Sequence, residues 1–289
     1  MIKEPAEGFK GVLGVSVKNL DTGETANLNG DMLFPTASVF KVPVIVEFYR
    51  QVEDCMINLD DQVLLREGDK VPGSGILKEL SEGLPVSYRD LLSLMMILSD
   101  NTATDLIVKK AGFENINNAM LDLDLKNTRV TKYCRQMLFD LVGVNDLKLE
   151  EMTIDVFQNA AESGDYSGSW SLETEDNDVS TPEEMTRLIE LIATGKAADV
   201  ESCQAILGIM AKCQTGTYRI PKYLPLKKLL LQRKTGSLPG IRNDVGVITI
   251  KESGVRYILT CFTMGAEDIY QAEEVIAKVS QGVYEYFSS

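Results

Sequence analysis

Apolar and polar positions divide the chain into three stretches of different period. Residues 11–18, Gly-Val-Leu-Gly-Val-Ser-Val-Lys, are valine-rich and read as a β-strand, Asp21-Thr22-Gly23-Glu24 supplies turn chemistry, and a second strand covers 25–28. Beyond residue 38 the period becomes helical. Helices are expected over 38–53, 87–98, 102–109, 113–123, 147–161, 182–192 and 200–213, where apolar residues recur three and four apart or run almost all round. The helix at Pro182 has the clearest start, with Ser180 or Thr181 as cap and proline in the first position. The last stretch returns to strands over 229–234, 242–250 and 256–264, separated by glycine turns, and closes with a helix over 269–287.

Strands at both ends and helices between them predict an α/β fold of the α+β type. One antiparallel five-stranded sheet is built from both chain ends, with a helical lobe inserted. The expected division is a single domain over 1–289, with an α/β lobe near 1–45 and 215–289 and an all-helical lobe near 46–214. The least legible part is 133–177. It holds helical fragments and then an acidic, Gly/Ser-rich run, Glu162-Ser-Gly-Asp-Tyr-Ser-Gly-Ser-Trp170, whose composition is that of a solvated loop.

Charge and composition narrow the partners. With 29 basic and 43 acidic residues the net charge is -14, which disfavours nucleic acid and anionic membrane surfaces. No stretch is long and apolar enough to span a bilayer. The first eight residues hold no apolar leader, which leaves the compartment open: cytoplasmic as written, or secreted or periplasmic if a leader was trimmed. Five cysteines without C-x-x-C spacing read as free thiols, which mildly favours a reducing compartment. Oligomeric state is not legible.

The chain contains no histidine, and this changes the chemistry most. A Ser-His-Asp arrangement and a histidine-bound zinc are both excluded, so a hydrolytic base has to be Lys, Glu, Asp, Tyr or a thiolate. Ser38 and Lys41 stand one helical turn apart among Val39, Phe40, Val42, Val44 and Ile45, a nucleophile and base pair if burial lowers the lysine pKa. The blander reading makes Ser38 a helix cap and Lys41 a snorkelling side chain. Ser99-Asp100-Asn101 is a polar triplet between two apolar helices, and Ser99 or Asp100 could simply cap the second. Lys234-Thr235-Gly236-Ser237 ends an apolar strand and offers a cation and hydroxyls to a carboxylate, with a glycine that permits close approach.

Ser38-x-x-Lys41, Ser99-Asp100-Asn101 and Lys234-Thr235-Gly236, in that order and in those contexts, resemble the class A β-lactamases and penicillin-binding proteins. Phe34-Pro35-x-Ala37 before Ser38, Leu98 before the triplet, and Asp178 with Ser180-Thr181-Pro182 extend the likeness over nearly the whole chain from Gly11. The resemblance implies a serine hydrolase acting on a β-lactam, or on a related peptide or ester, without cofactor or metal. It makes Ser38 the acylated nucleophile, Lys41 the base and Ser99 the proton relay to the leaving nitrogen. Asn101 would hold the substrate amide, and Lys234, Thr235 and Ser237, helped by Arg242, the substrate carboxylate. Backbone N–H groups of Ser38 and Ser237 would form the oxyanion hole.

One part departs from the family. Class A enzymes deacylate with a glutamate in a Glu-x-x-x-Asn pattern of an Ω-loop, a few residues past the segment that here reads Thr128-Arg129-Val130-Thr131. That place holds Tyr133-Cys134-Arg135-Gln136-Met137, an insertion of about thirty residues is expected there, and counting back from Pro182 offers only Asp165, or Glu162, as candidate bases. A penicillin-binding peptidase or esterase with slow deacylation, and a binding protein that retains the pocket, are therefore the alternative expectations.

Overall fold

The computed structural model describes residues 2, 7–144, 146–162 and 175–289. In chain order the elements are β1 (Val12–Asn19), β2 (Thr25–Leu28), β3 (Phe34–Pro35), α1 (Lys41–Glu53), β4 (Gln62–Leu64), β5 (Pro85–Ser87), α2 (Tyr88–Ile97), α3 (Asn101–Ala111) and α4 (Phe113–Asp122). They continue with α5 (Cys134–Leu141), α6 (Ile154–Glu162), β6 (Val179–Ser180), α7 (Pro182–Ala193), α8 (Val200–Met210), β7 (Leu229–Leu238), β8 (Ile241–Ile250), β9 (Arg256–Met264) and α9 (Ile269–Ser288). Five strands form one antiparallel sheet in the order β2-β1-β9-β8-β7, so the N-terminal hairpin adds to the C-terminal meander through the β1–β9 pairing. The expected sheet from both chain ends is the one observed.

Alternation along the strands gives the sheet two apolar faces. Val245 and Val247 of β8 with Ile258 and Phe262 of β9 pack into the core shared with α1, α2, α3 and α7. Ile248, Ile250, Tyr257, Leu259 and Cys261 point the other way, onto Val275, Ile276, Val279 and Val283 of α9. Helix starts follow local chemistry. Thr181 Oγ1 accepts the Glu184 N–H at 3.1 Å ahead of Pro182, and Asp100 Oδ1 accepts the Ala103 N–H at 2.9 Å. Gly112, at φ 83°, both ends α3 and opens α4, a conformation that costs little without a Cβ.

Three differences from the sequence reading bear on the site. Ser38 lies in a 3₁₀ turn, Ala37–Phe40, and α1 proper begins at Lys41. The strand that carries Lys234 runs four residues further, to Leu238. A helix not expected, α5, occupies the illegible segment, whereas the helix expected over 147–161 is the shorter α6 after a 3₁₀ turn, Leu149–Glu151. Among the described residues no helix is long and apolar enough to cross a membrane.

Candidate active site

Lys41 sits in the first turn of α1 and is completely buried, so the snorkelling alternative does not hold. Its ammonium donates to Ser99 O at 2.8 Å, Ser99 Oγ at 3.1 Å and Asn101 Oδ1 at 3.1 Å. Burial pushes its pKa down, against the opposing pull of Cys134, Asp100 and Asp105. Ser38 is half-buried, caps nothing, and opens onto a cavity of about 260 Å³. The preceding Ala37 has φ 44°, a strained value for a residue with a Cβ, in the turn that presents the hydroxyl.

The triplet is a structural joint and part of the site together. Ser99 also has positive φ, 58°, which turns its side chain back between the two lysines. Its Oγ receives Lys41 Nζ and, at 3.0 Å, Lys234 Nζ. Asp100, buried, caps α3 and takes the N–H groups of Ile76 and Leu77 at 2.7 and 2.9 Å, pinning the loop after Val71. Asn101 donates to Pro72 O at 3.0 Å, and Ser74 Oγ donates to Ser99 O at 2.8 Å. Removing the Asp100 carboxylate leaves three backbone donors without it. Asp100→Ala is therefore expected to lower unfolding free energy by about 3 kcal/mol, read from urea denaturation; an unchanged midpoint would refute the joint.

Strand β7 carries the third motif against the Ser38 turn. A Cβ on Gly236 would press on Thr36 O and come within 3.1 Å of Ser38 N, so only glycine lets the strand lie this close. Asn243 of β8 donates to Pro35 O at 2.9 Å and Thr36 O at 3.0 Å and fixes the same turn from below. Lys234 is completely buried; burial first, then the charge of Lys41, pushes its pKa down to about 7. Thr235 and Ser237 line the cavity with Ser38, Ser99 and Asn101.

Arg242 does not reach this cavity. Its guanidinium turns back to Leu238 O at 2.9 Å and Ile241 O at 2.7 Å, closing its own hairpin, and its Nε lies 3.7 Å from Glu273. The cation at that end is Arg219, buried, which donates to Ser237 Oγ at 2.6 Å, Gly236 O at 2.9 Å and Asn243 O at 2.8 Å, with Glu273 at 3.2 Å. It stands in a turn-rich stretch without periodicity, and no motif marks it.

The remaining wall comes from α5. Cys134, Met137 and Leu138 face the cavity, and burial pushes the Cys134 thiol far above its ordinary range, so it is neutral. The segment is hung by its backbone. Asp178 Oδ1 takes the N–H groups of Thr131 and Lys132 at 2.6 and 3.1 Å, and Asp105 takes those of Cys134 and Arg135 at 2.7 and 3.1 Å. Burial raises both carboxylates, Asp178 to about 7 and Asp105 to about 6. No described residue lining the cavity is a carboxylate. Of the counted-back bases, Glu162 is the exposed last residue of α6 and does not line the cavity, and Asp165 lies outside the described residues. Among the described residues no cluster of three or more His, Cys, Asp or Glu side chains is placed to hold a metal ion.

Three comparisons bear on this geometry. A model described as the beta-lactamase enzyme family matches residues 1–287. A beta-lactamase from Bacteroides uniformis is 25% identical over 293 residues, spanning 96% of this chain and 87% of that protein. Among solved structures, a beta-lactamase from Sphaerobacter thermophilus is 27% identical with a TM-score of 0.82, over 99% of this chain and 97% of that one. PBP-A has a TM-score of 0.81 at 22% identity, over 99% and 94% of the two chains, a likeness of fold.

Proposed function

The chain belongs to the beta-lactamase enzyme family, and we propose that Ser38 opens the amide bond of a β-lactam substrate to give a long-lived acyl-enzyme. The protein is a class A β-lactamase-like serine hydrolase. The observation that carries the reading of the site is Ser99 Oγ held between the Nζ atoms of two wholly buried lysines, beneath the cavity that Ser38 lines.

In this reading neutral Lys41 takes the Ser38 proton as Oγ attacks the lactam carbonyl. The new oxyanion is received by the N–H groups of Ser38 and Ser237, which Gly236 allows to approach each other. Collapse breaks the C–N bond, and the proton passes from Lys41 through Ser99 to the departing nitrogen. Lys234, Thr235 and Ser237, the last braced by Arg219, receive the substrate carboxylate. No charge is left over at the acyl-enzyme, so the first half of the reaction is complete on these residues. Hydrolysis of the ester then needs a base that activates water, and the neutral thiol of Cys134 is a poor one.

A second reading of the natural substrate, a peptide-like amide or an ester with slow release, is supported only by a cavity whose described lining holds no carboxylate. A PBP-A mutant of the same fold has been solved as an acyl-enzyme with penicillin G. Intact-mass spectrometry after benzylpenicillin, followed by peptide mapping, tests both. An adduct of the full penicillin mass on the Ser38 peptide that persists over many minutes is expected. No adduct and no hydrolysis would sink both readings, and rapid product formation without accumulation would sink the slow second half.

Lys234 gives a pH test. Its pKa near 7 makes it charged below that pH and neutral above. Because the carboxylate is held by the charged form, the second-order acylation rate is expected to fall as pH rises through 7. A Lys234→Arg variant, whose cation does not titrate, should lose the alkaline fall; keeping it would exclude Lys234 as its source.

A further inference from the structure

We infer that the α5 wall makes the enzyme select substrates whose acyl group carries an apolar substituent and reject those that carry a charge there. This inference rests on acylation at Ser38 and names the substrate class of that same cavity.

The cavity is lined by polar groups, among them those of Ser38, Ser99 and Thr235, and by apolar side chains. Besides Ala37 and Leu238, the apolar ones are Cys134, Met137 and Leu138 of α5, at the spacing that puts three side chains on one helix face. Cys134 and Met137 are buried and Leu138 half-buried. Across the cavity, a Cβ on Gly73 would come within 3.3 Å of Leu138 Cδ1, so the loop and α5 nearly meet. Once Ser38 is acylated, the carboxylate of the substrate is held on the Lys234 side. The substituent next to the acyl carbon is then left facing α5.

A benzyl or branched alkyl group there covers apolar surface already shielded from water. A carboxylate or ammonium there loses its hydration and finds a neutral thiol, a thioether and a leucine, none of which returns the lost hydrogen bonds. Discrimination of about tenfold to two-hundredfold is the usual reach of such a pocket. The wall is rigid enough to discriminate. Besides Asp105 on its backbone, Arg135 donates to Gly68 O at 2.7 Å, Lys70 O at 3.1 Å and Leu149 O at 3.2 Å, tying α5 to two other loops.

The test is a series on one bicyclic nucleus: benzylpenicillin, carboxybenzylpenicillin and 6-aminopenicillanic acid. Second-order acylation rates are read by intact mass at fixed pH. Benzylpenicillin is expected to react at least tenfold faster than the other two. Leu138→Asn and Met137→Thr are each expected to narrow that ratio to about threefold or less, and Leu138→Met to preserve it. Equal rates across the series in the unaltered protein overturn the selectivity while leaving acylation standing. No adduct with any of the three overturns the acylation reading itself. If one polar variant fails to fold, the other and the unaltered protein still decide, and an unchanged ratio in a folded polar variant removes α5 as the selector.

Discussion

A Lys41→Met variant is expected to acylate with benzylpenicillin about 10³-fold more slowly than the unaltered chain, within the range of a lost general base. The argument rests on where the amine is. Lys41 is wholly buried, its three acceptors are Ser99 O, Ser99 Oγ and Asn101 Oδ1, and burial lowers its pKa, which favours the proton-accepting form of the amine. Methionine nearly fills the same space without a proton acceptor, which keeps the fold and removes the base. The first-order burst seen by mass gives the rate. A variant with unimpaired acylation would show that Ser38 is deprotonated by something else, and the shared Ser99 contact would then be structural.

The second large effect runs the other way. Cys134→Glu is expected to shorten the life of the acyl-enzyme about 10²-fold or more, because it puts a carboxylate on the wall that faces the acylated serine, beside Lys41. The backbone at that point is held by Asp105 through the Cys134 and Arg135 N–H groups, so the exchange changes the side chain and leaves the path of α5 in place. Decay of the adduct measured after removal of excess penicillin decides it. An adduct as durable as in the parent, in a folded variant that still acylates, would mean that water has no access from α5.

How much of this was legible in the sequence depended on how local each signal was. Ser38, Lys41, Ser99, Asn101, Lys234 and Gly236 announced themselves because each motif sits at a helix start, a turn or a strand with its own pattern. Helix α5 did not, since its eight residues are short of two clear apolar repeats and the acceptor for its first N–H groups comes from Asp105, about thirty residues earlier on α3. Strands β3 and β6 have two residues each and exist only by pairing Phe34 with Ser180 and Pro35 with Val179. Arg242 was expected beside the substrate carboxylate, and Arg219 was not singled out, for a similar reason. Arg242 lies opposite Ser237 in the β7–β8 register, the place a sequence reading would choose. Carbonyls of its own hairpin capture it, and a guanidinium from an irregular loop takes the contact with Ser237.

The suspension of residues 131–135 by two outside carboxylates has a use in engineering. Asp178 and Asp105 grip main-chain N–H groups, which every residue except proline offers alike. The inward-facing positions 134, 137 and 138 thus behave as an exchangeable cassette on a fixed frame. A library randomised at those three sites samples new turnover and new substrate preference while the frame that places it stays the same.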